Sequence, residues 1–186
     1  MMWILPFELE TTMHTTLLPG QPVPALTVPL AGGGEFTLNA DAPENFTMVI
    51  FYRGLHCPIC KGQLTDFRSK LHDFAGLGID VVAISMNTRE LAEQTARDWD
   101  VSGLKLGYGL TRDQAKTWGL YLSSAFKAAE PDVFSEPGVA IVRPDGTLYH
   151  WSVQTAPFGR AKAAELAANL KYVIENDYPV RGTLVA

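Results

Sequence analysis

The only two cysteines of the chain, Cys57 and Cys60, lie three residues apart where a strand pattern gives way to a helix pattern. Residues 46–52 are rich in β-branched and aromatic side chains and apolar on both faces, which predicts a central strand. Pro58 is a favoured first residue of a helix, and apolar residues then recur at helical spacing up to Phe74. The pattern therefore predicts a strand–loop–helix unit with the cysteine pair at the start of its helix.

The position of Cys57 favours a reactive sulfur. A thiol at a helix N-terminus faces unpaired backbone N–H groups and the positive end of the helix dipole, and both favour the thiolate. Cys60 lies on the apolar stripe of the helix, four residues before Leu64. We therefore expect Cys57 to be the more exposed sulfur, with a pKa below that of a free thiol, and Cys60 to be the more buried one, without this lowering.

A Cys-x-x-Cys pair has three competing interpretations. One turn of helix holds two sulfurs close enough for a reducible disulfide, so thiol redox chemistry is the favoured interpretation. A metal site is disfavoured, because a closed zinc site usually needs four ligands and only His56 is near in sequence. An inert pair is the third interpretation. Because the sulfurs themselves carry the electrons, we expect no bound cofactor and no metal.

Two side chains before the pair are candidates for supporting roles. Arg53 lies four residues before Cys57, where a guanidinium can stabilise a thiolate or hold a peroxide oxygen as the O–O bond breaks. The alternative is a solvated arginine at a strand end. His56 adjoins Cys57 and can tune its charge or relay a proton, and the alternative is a histidine without a role.

Composition and charge narrow the class of protein. The chain has 186 residues, of which 47% are hydrophobic and 19% charged, an ordinary balance for one globular domain. The net charge of −5, without a basic cluster, argues against a nucleic-acid partner. No apolar run reaches the roughly 18–20 residues that span a bilayer, so we expect no membrane partner.

The expected organisation is an N-terminal arm over residues 1–17, one domain over residues 18–178 and a tail over residues 179–186. The arm is apolar, but Pro6 interrupts it and it lacks a basic start, so it is not predicted to be a signal peptide. Two cysteines do not form a disulfide framework in a chain of this length, and a reducing cytoplasm is the expected compartment. The apolar arm is compatible with a homodimer.

The order of predicted elements is a hairpin, then strand, helix, strand, helix, short strand, helix, a second hairpin and a final helix. Crossover helices imply a parallel central pair of strands, and the second hairpin adds antiparallel ones. Asn87 is predicted to begin the second helix, and the capping box from Thr111 to Gln114 begins the third. Residues 120–136 are predicted to be an irregular, mobile loop over the site.

Several segments carry a resemblance to a known family. They are the cysteine segment 51–61 (FYRGLHCPICK), with residues 19–26, 81–85, 118–121 and 139–146 in the same order. Together they resemble peroxiredoxin-like proteins of the alkyl hydroperoxide reductase/thiol-specific antioxidant (AhpC/TSA) group, in the thioredoxin superfamily. The resemblance spans roughly residues 18–175 and implies an α/β, thioredoxin-like fold, with a central mixed sheet flanked by helices and an N-terminal hairpin extension.

The resemblance also implies an activity. Cys57 would be the peroxidatic cysteine, which attacks hydrogen peroxide or an organic hydroperoxide and becomes a sulfenic acid. Cys60 would resolve it to a disulfide, which a thioredoxin-like or small-thiol donor reduces. The candidate residues that support this site are His56, Pro58, Pro137 and Gly54.

The chain departs from the family pattern at three positions. Gly54 and Ile50 stand where the family carries a threonine and a proline before the reactive cysteine. Pro137 stands where efficient peroxidases carry an arginine, and it matches the cis-proline pattern of thioredoxins. The resemblance therefore favours a cis bond before Pro137. It also leaves two alternatives open, a thiol-disulfide oxidoreductase and a non-catalytic redox sensor or metal-binding module.

Overall fold

The computed structural model describes residues 17–184. The predicted N-terminal arm therefore lies almost wholly outside the described residues, as does the end of the tail. The nine strands of the described chain are β1 Thr27–Pro29, β2 Glu35–Thr37, β3 Phe46–Phe51, β4 Ile79–Ile84, β5 Lys105–Gly107, β6 Leu122–Ser124, β7 Val133–Ser135, β8 Gly138–Val142 and β9 Leu148–Val153. Its helices are α1 Pro58–Ser69, α2 Leu71–Gly76, α3 Arg89–Asp98, α4 Arg112–Thr117 and α5 Ala163–Glu175.

A five-stranded mixed sheet forms the centre of the molecule, in the order β5-β4-β3-β8-β9. β3 pairs in parallel with β4, and β4 in parallel with β5. β8 pairs antiparallel with both β3 and β9. This confirms the predicted mixed sheet, with its parallel central pair and its antiparallel second hairpin.

Alternate residues of β3 belong to two separate cores, which explains why this strand is apolar on both faces. Met48 and Ile50 lie in one core with side chains of α1, α2 and α5. Val49 and Phe51 lie in the other core with side chains of α4 and of the β1–β2 hairpin. The sheet is thus covered on both sides, and α1 and α5 contact each other on the same side.

The predicted N-terminal hairpin is present as β1 and β2, paired antiparallel with Val28 opposite Phe36. Both of these side chains are buried in the second core. The capping box of α4 is also confirmed: the Thr111 hydroxyl accepts the N–H of Gln114, and the Gln114 side chain accepts the N–H of Thr111.

Three local predictions are wrong. The stripe up to Phe74 belongs to two helices, because Lys70 leaves helical geometry between α1 and α2 without a proline or glycine to mark the break. The cap of α3 is Thr88 rather than Asn87, since the Thr88 hydroxyl accepts the N–H of Leu91. Residues 120–136 are not an irregular loop but contain the antiparallel pair β6–β7.

Within the described residues, no helix combines the length and the apolar character needed to cross a membrane.

Candidate functional site

The cysteine loop leaves the end of β3 through a turn that only glycine accommodates easily. Gly54 has a φ of +127°, and its carbonyl accepts the N–H of Cys57 at 3.1 Å. A Cβ atom at this position would lie 2.4 Å from Oδ1 of the buried Asn87. Conformation and space therefore both explain why glycine stands where the family carries threonine.

Cys57 caps α1, as the sequence predicts. Its backbone is extended, with φ −103° and ψ 103°, and Pro58 is the first helical residue. The Cys57 Sγ accepts the backbone N–H of Cys60 at 3.3 Å. The sulfur thus takes the place that a serine or aspartate oxygen usually occupies at a helix N-terminus.

The two sulfurs differ only slightly in exposure. Cys57 is 2% exposed and Cys60 is fully buried. Cys57 is therefore the more exposed of the two, as predicted, but both side chains are buried. Arg160 lies against both sulfurs at the start of α1.

The surroundings of the two thiols shift their pKa values in opposite directions. The pKa of Cys57 falls to about 6, chiefly because the Cys60 thiol donates a hydrogen bond to its sulfur. Burial opposes this, while the Cys60 backbone N–H, Arg160 and Arg53 lower the Cys57 pKa further. Burial raises the pKa of Cys60, and its bond to Cys57 adds to the rise. Cys57 is therefore the thiolate at neutral pH and Cys60 the thiol.

Arg160 was not a candidate in the sequence, yet it is the arginine that contacts the sulfurs. Its Nη1 donates to Cys60 Sγ at 3.2 Å and to Gln63 Oε1 at 2.6 Å, and its Nη2 reaches Cys57 Sγ at 3.8 Å. Arg160 is a hundred residues from Cys60, in the segment between β9 and α5. No local pattern in the sequence marks Arg160, because its contact with the sulfurs depends on the packing of α5 beside α1.

Arg53, the arginine that the sequence favoured, is bound to carboxylates. Its Nε lies 3.5 Å from Glu136 Oε2 and its Nη2 lies 3.5 Å from Glu130 Oε1. Its guanidinium carbon sits 4.5 Å from the ring centroid of Phe134. The Arg53 charge acts on Cys57 less than that of Arg160 does. A direct role for Arg53 stays a prediction.

His56 packs beside this arginine, with its ring centroid 4.8 Å from that of Phe134. Burial, and secondarily the Arg53 charge, lowers the pKa of His56. The imidazole is therefore neutral near pH 7. Its role in proton relay stays a prediction.

Pro137 lies at the end of the sheet from which the cysteine loop departs, since Phe51 pairs with Gly138. Every peptide bond in residues 17–184 is trans, so the cis bond favoured for Pro137 is not present. Its carbonyl accepts the N–H of Gln154 at 2.9 Å, which extends the ladder between β8 and β9. A supporting role for Pro137 at the cysteine pair stays a prediction.

Within residues 17–184, no group of three or more histidine, cysteine, aspartate or glutamate side chains is placed to hold a metal ion.

Comparisons with known proteins agree on one family. The family model described as AhpC/TSA matches residues 19–151. Two curated relatives are "Putative peroxiredoxin MT2597" from Mycobacterium tuberculosis strain CDC 1551 / Oshkosh and "Putative peroxiredoxin Rv2521" from strain ATCC 25618 / H37Rv. Each is 36% identical over 110 residues, which cover 59% of this chain and 69% of the relative.

Solved structures show the same fold at low identity. The peroxidoxin BcpB from Mycobacterium tuberculosis superposes with a TM-score of 0.67 at 17% identity, covering 85% of this chain and 99% of that one. The AhpC of Enterococcus faecalis superposes with a TM-score of 0.69 at 17% identity, covering 89% and 99%. The chain therefore belongs to the AhpC/TSA family of thiol-dependent peroxide reductases.

Proposed function

We propose that this protein reduces hydrogen peroxide or organic hydroperoxides by a two-cysteine cycle on α1. In the first step the Cys57 thiolate attacks one peroxide oxygen and the O–O bond breaks. Cys57 becomes a sulfenic acid, and the other oxygen leaves as water or an alcohol after taking a proton. The sulfur is oxidised by two electrons and the peroxide is reduced by two.

The observation that carries this proposal is the capping of α1 by Cys57 Sγ. The sulfur accepts the N–H of Cys60 at the positive end of the helix and lies beside Arg160. Both contacts favour the thiolate, which is the species that attacks peroxide. The same positive charges are placed to stabilise the negative oxygen that leaves.

In the second step Cys60 attacks the sulfenic sulfur of Cys57. A disulfide forms, and the sulfenic oxygen leaves as water with the proton that Cys60 gives up. A thioredoxin-like protein or a small thiol then reduces the disulfide. A cavity of about 520 Å³ adjoins Arg160 and is lined by the exposed side chains of Ile59 and Phe158, and it supports approach of a donor from this side. We propose a cytoplasmic enzyme that can form a homodimer.

A steady-state assay tests the cycle. Peroxide should drive oxidation of reduced thioredoxin by the wild type, and Cys57→Ser should abolish it. Cys60→Ser should accumulate a sulfenic acid that dimedone traps at Cys57, or a sulfinic acid under excess peroxide. Peroxide turnover that survives in Cys57→Ser would contradict the proposal.

A second candidate is a thiol-disulfide oxidoreductase acting on protein or small-molecule disulfides. It is favoured by the two sulfurs lying on one helical turn, with Cys57 as the more acidic. Insulin reduction in the presence of a thiol donor separates the two candidates. Rapid insulin reduction without peroxide turnover would favour this second candidate over the first.

A further inference from the structure

The resolving thiol presents a chemical difficulty in the proposed cycle. Cys60 must act as a thiolate to attack the sulfenic acid, yet its side chain is fully buried. Burial raises the pKa of Cys60 and keeps it protonated in the reduced enzyme. The second step therefore needs a group that stabilises negative charge on Cys60 at the moment of attack.

Arg160 is placed to be that group. Its Nη1 is 3.2 Å from Cys60 Sγ, whereas its Nη2 is 3.8 Å from Cys57 Sγ, so the shorter contact is with the resolving sulfur. Within residues 17–184, Arg160 forms no ion pair with a carboxylate, and its charge is therefore not neutralised by one.

The guanidinium is held by α1 and by its own loop. Nη1 also donates to Gln63 Oε1 at 2.6 Å, and Nε donates to the Pro157 carbonyl at 2.7 Å. The loop is tied to α1 a second time, because the N–H of Ala163 donates to Asp66 Oδ2 at 2.9 Å. These contacts fix the guanidinium relative to Cys60, since both are anchored to the same helix.

We propose that Arg160 is a catalytic residue of the resolving step, which stabilises the Cys60 thiolate after Cys57 has been oxidised. In the reduced enzyme the positive charge is shared with the Cys57 thiolate. Oxidation converts that thiolate into a neutral sulfenic acid, which removes the competing negative charge. The charge of Arg160 then acts on Cys60 alone. This inference rests on the proposed two-cysteine cycle.

The test separates the two steps by using two backgrounds. Arg160→Met is made in the wild type and in Cys60→Ser. In Cys60→Ser, the rate of dimedone-trapped sulfenic acid reports the first step only. In the wild-type background, one equivalent of peroxide is added, the reaction is quenched with an alkylating agent, and disulfide formation is followed by mass spectrometry.

We expect Arg160→Met to slow disulfide formation by about tenfold beyond its effect on the first step. This factor corresponds to a rise of about one in the pKa of Cys60. Because the sulfenic acid lives longer, sulfinic acid should appear at Cys57 at lower peroxide concentrations. Arg160→Lys keeps the charge and should recover part of the resolving rate. Lys162→Met removes a neighbouring charge from the same loop and should leave both steps unchanged.

Three outcomes would overturn the inference. Arg160→Met could leave disulfide formation unchanged, or slow both steps by the same factor. Alternatively, Arg160→Lys could resolve no faster than Arg160→Met although it folds normally. Failure of Cys60→Ser with intact Arg160 to form any sulfenic acid is a different result, because it refutes the proposed peroxidase cycle itself.

Discussion

The hydrogen bond from the Cys60 thiol to the Cys57 sulfur can be tested by removing its donor. Cys60→Ala deletes the largest single cause of the low Cys57 pKa, while the backbone N–H of residue 60 remains. Cys60→Ser is the matched control, because its hydroxyl can still donate to the sulfur. Each variant contains Cys57 as its only cysteine, so alkylation reports on one sulfur.

The expected magnitude follows from the pKa. With a pKa of about 6, Cys57 is about 90% thiolate at pH 7, against about 3% for an unperturbed thiol, a difference of about 30-fold. A hydrogen bond to a charged group contributes about 1.5 kcal/mol at the low end, and a thiol is a weak donor. We therefore expect Cys60→Ala to raise the Cys57 pKa by about one unit, to about 7.

The assay measures the rate of iodoacetamide alkylation from pH 4.5 to 9.5 and takes its midpoint as the pKa. The expected midpoints are near 6 for Cys60→Ser and near 7 for Cys60→Ala. Equal midpoints in the two variants would show that the Cys60 side chain does not lower the Cys57 pKa. A midpoint near 8.5 in both variants would also show that the start of α1 does not lower the Cys57 pKa, since both variants retain the backbone N–H of residue 60.

Three further predictions concern stability, each measured by urea unfolding of the reduced protein. Gly54→Ala should lower the unfolding free energy by about 1–3 kcal/mol or more, because the positive φ of residue 54 strains a side chain and the new Cβ atom would collide with Asn87. The control Gly62→Ala places its Cβ atom in open space on α1 and should not destabilise the protein. Equal effects of the two substitutions would contradict the strain at Gly54. Arg53→Met should lower the unfolding free energy by about 3 kcal/mol, because it leaves the buried Glu136 without its cation. The control Arg89→Met breaks an exposed pair with Glu93 and should lower the unfolding free energy by less than about 0.5 kcal/mol. A small effect at both sites would show that Glu136 does not depend on Arg53. The Cys57 pKa is about 6 in the folded protein and about 8.5 in an unfolded chain, so the Cys57 thiolate stabilises the folded state. In a Cys60→Ser background, the unfolding free energy of the protein with Cys57 should therefore rise relative to that of Cys57→Ser as the pH rises from about 6 to 8.5, and this gain should be lost as the pH falls through 6. A difference between the two proteins that is independent of pH would contradict the folded pKa.

The segment 120–136 shows where sequence reasoning failed. Its mixed composition lacks a clear period and predicts an irregular loop, but the segment contains β6 and β7. Glu130 and Glu136, which hold Arg53, both belong to this segment. The spacing of Arg53 and Cys57 along the chain does not show that the fold brings these two carboxylates to Arg53.

The sequence by itself determined the central strand, the helix start and the position of Cys57 on it. These features depend on side-chain periodicity, on Pro58 and on backbone groups within a few residues, all of which are local. Only the tertiary structure decided how far the sulfurs are covered and which arginine contacts them. Arg160 reaches Cys60 because α5 packs beside α1 on one face of the sheet. Burial and electrostatic contacts depend on distance in space, and local patterns do not specify which distant segments the packing of the sheet brings together.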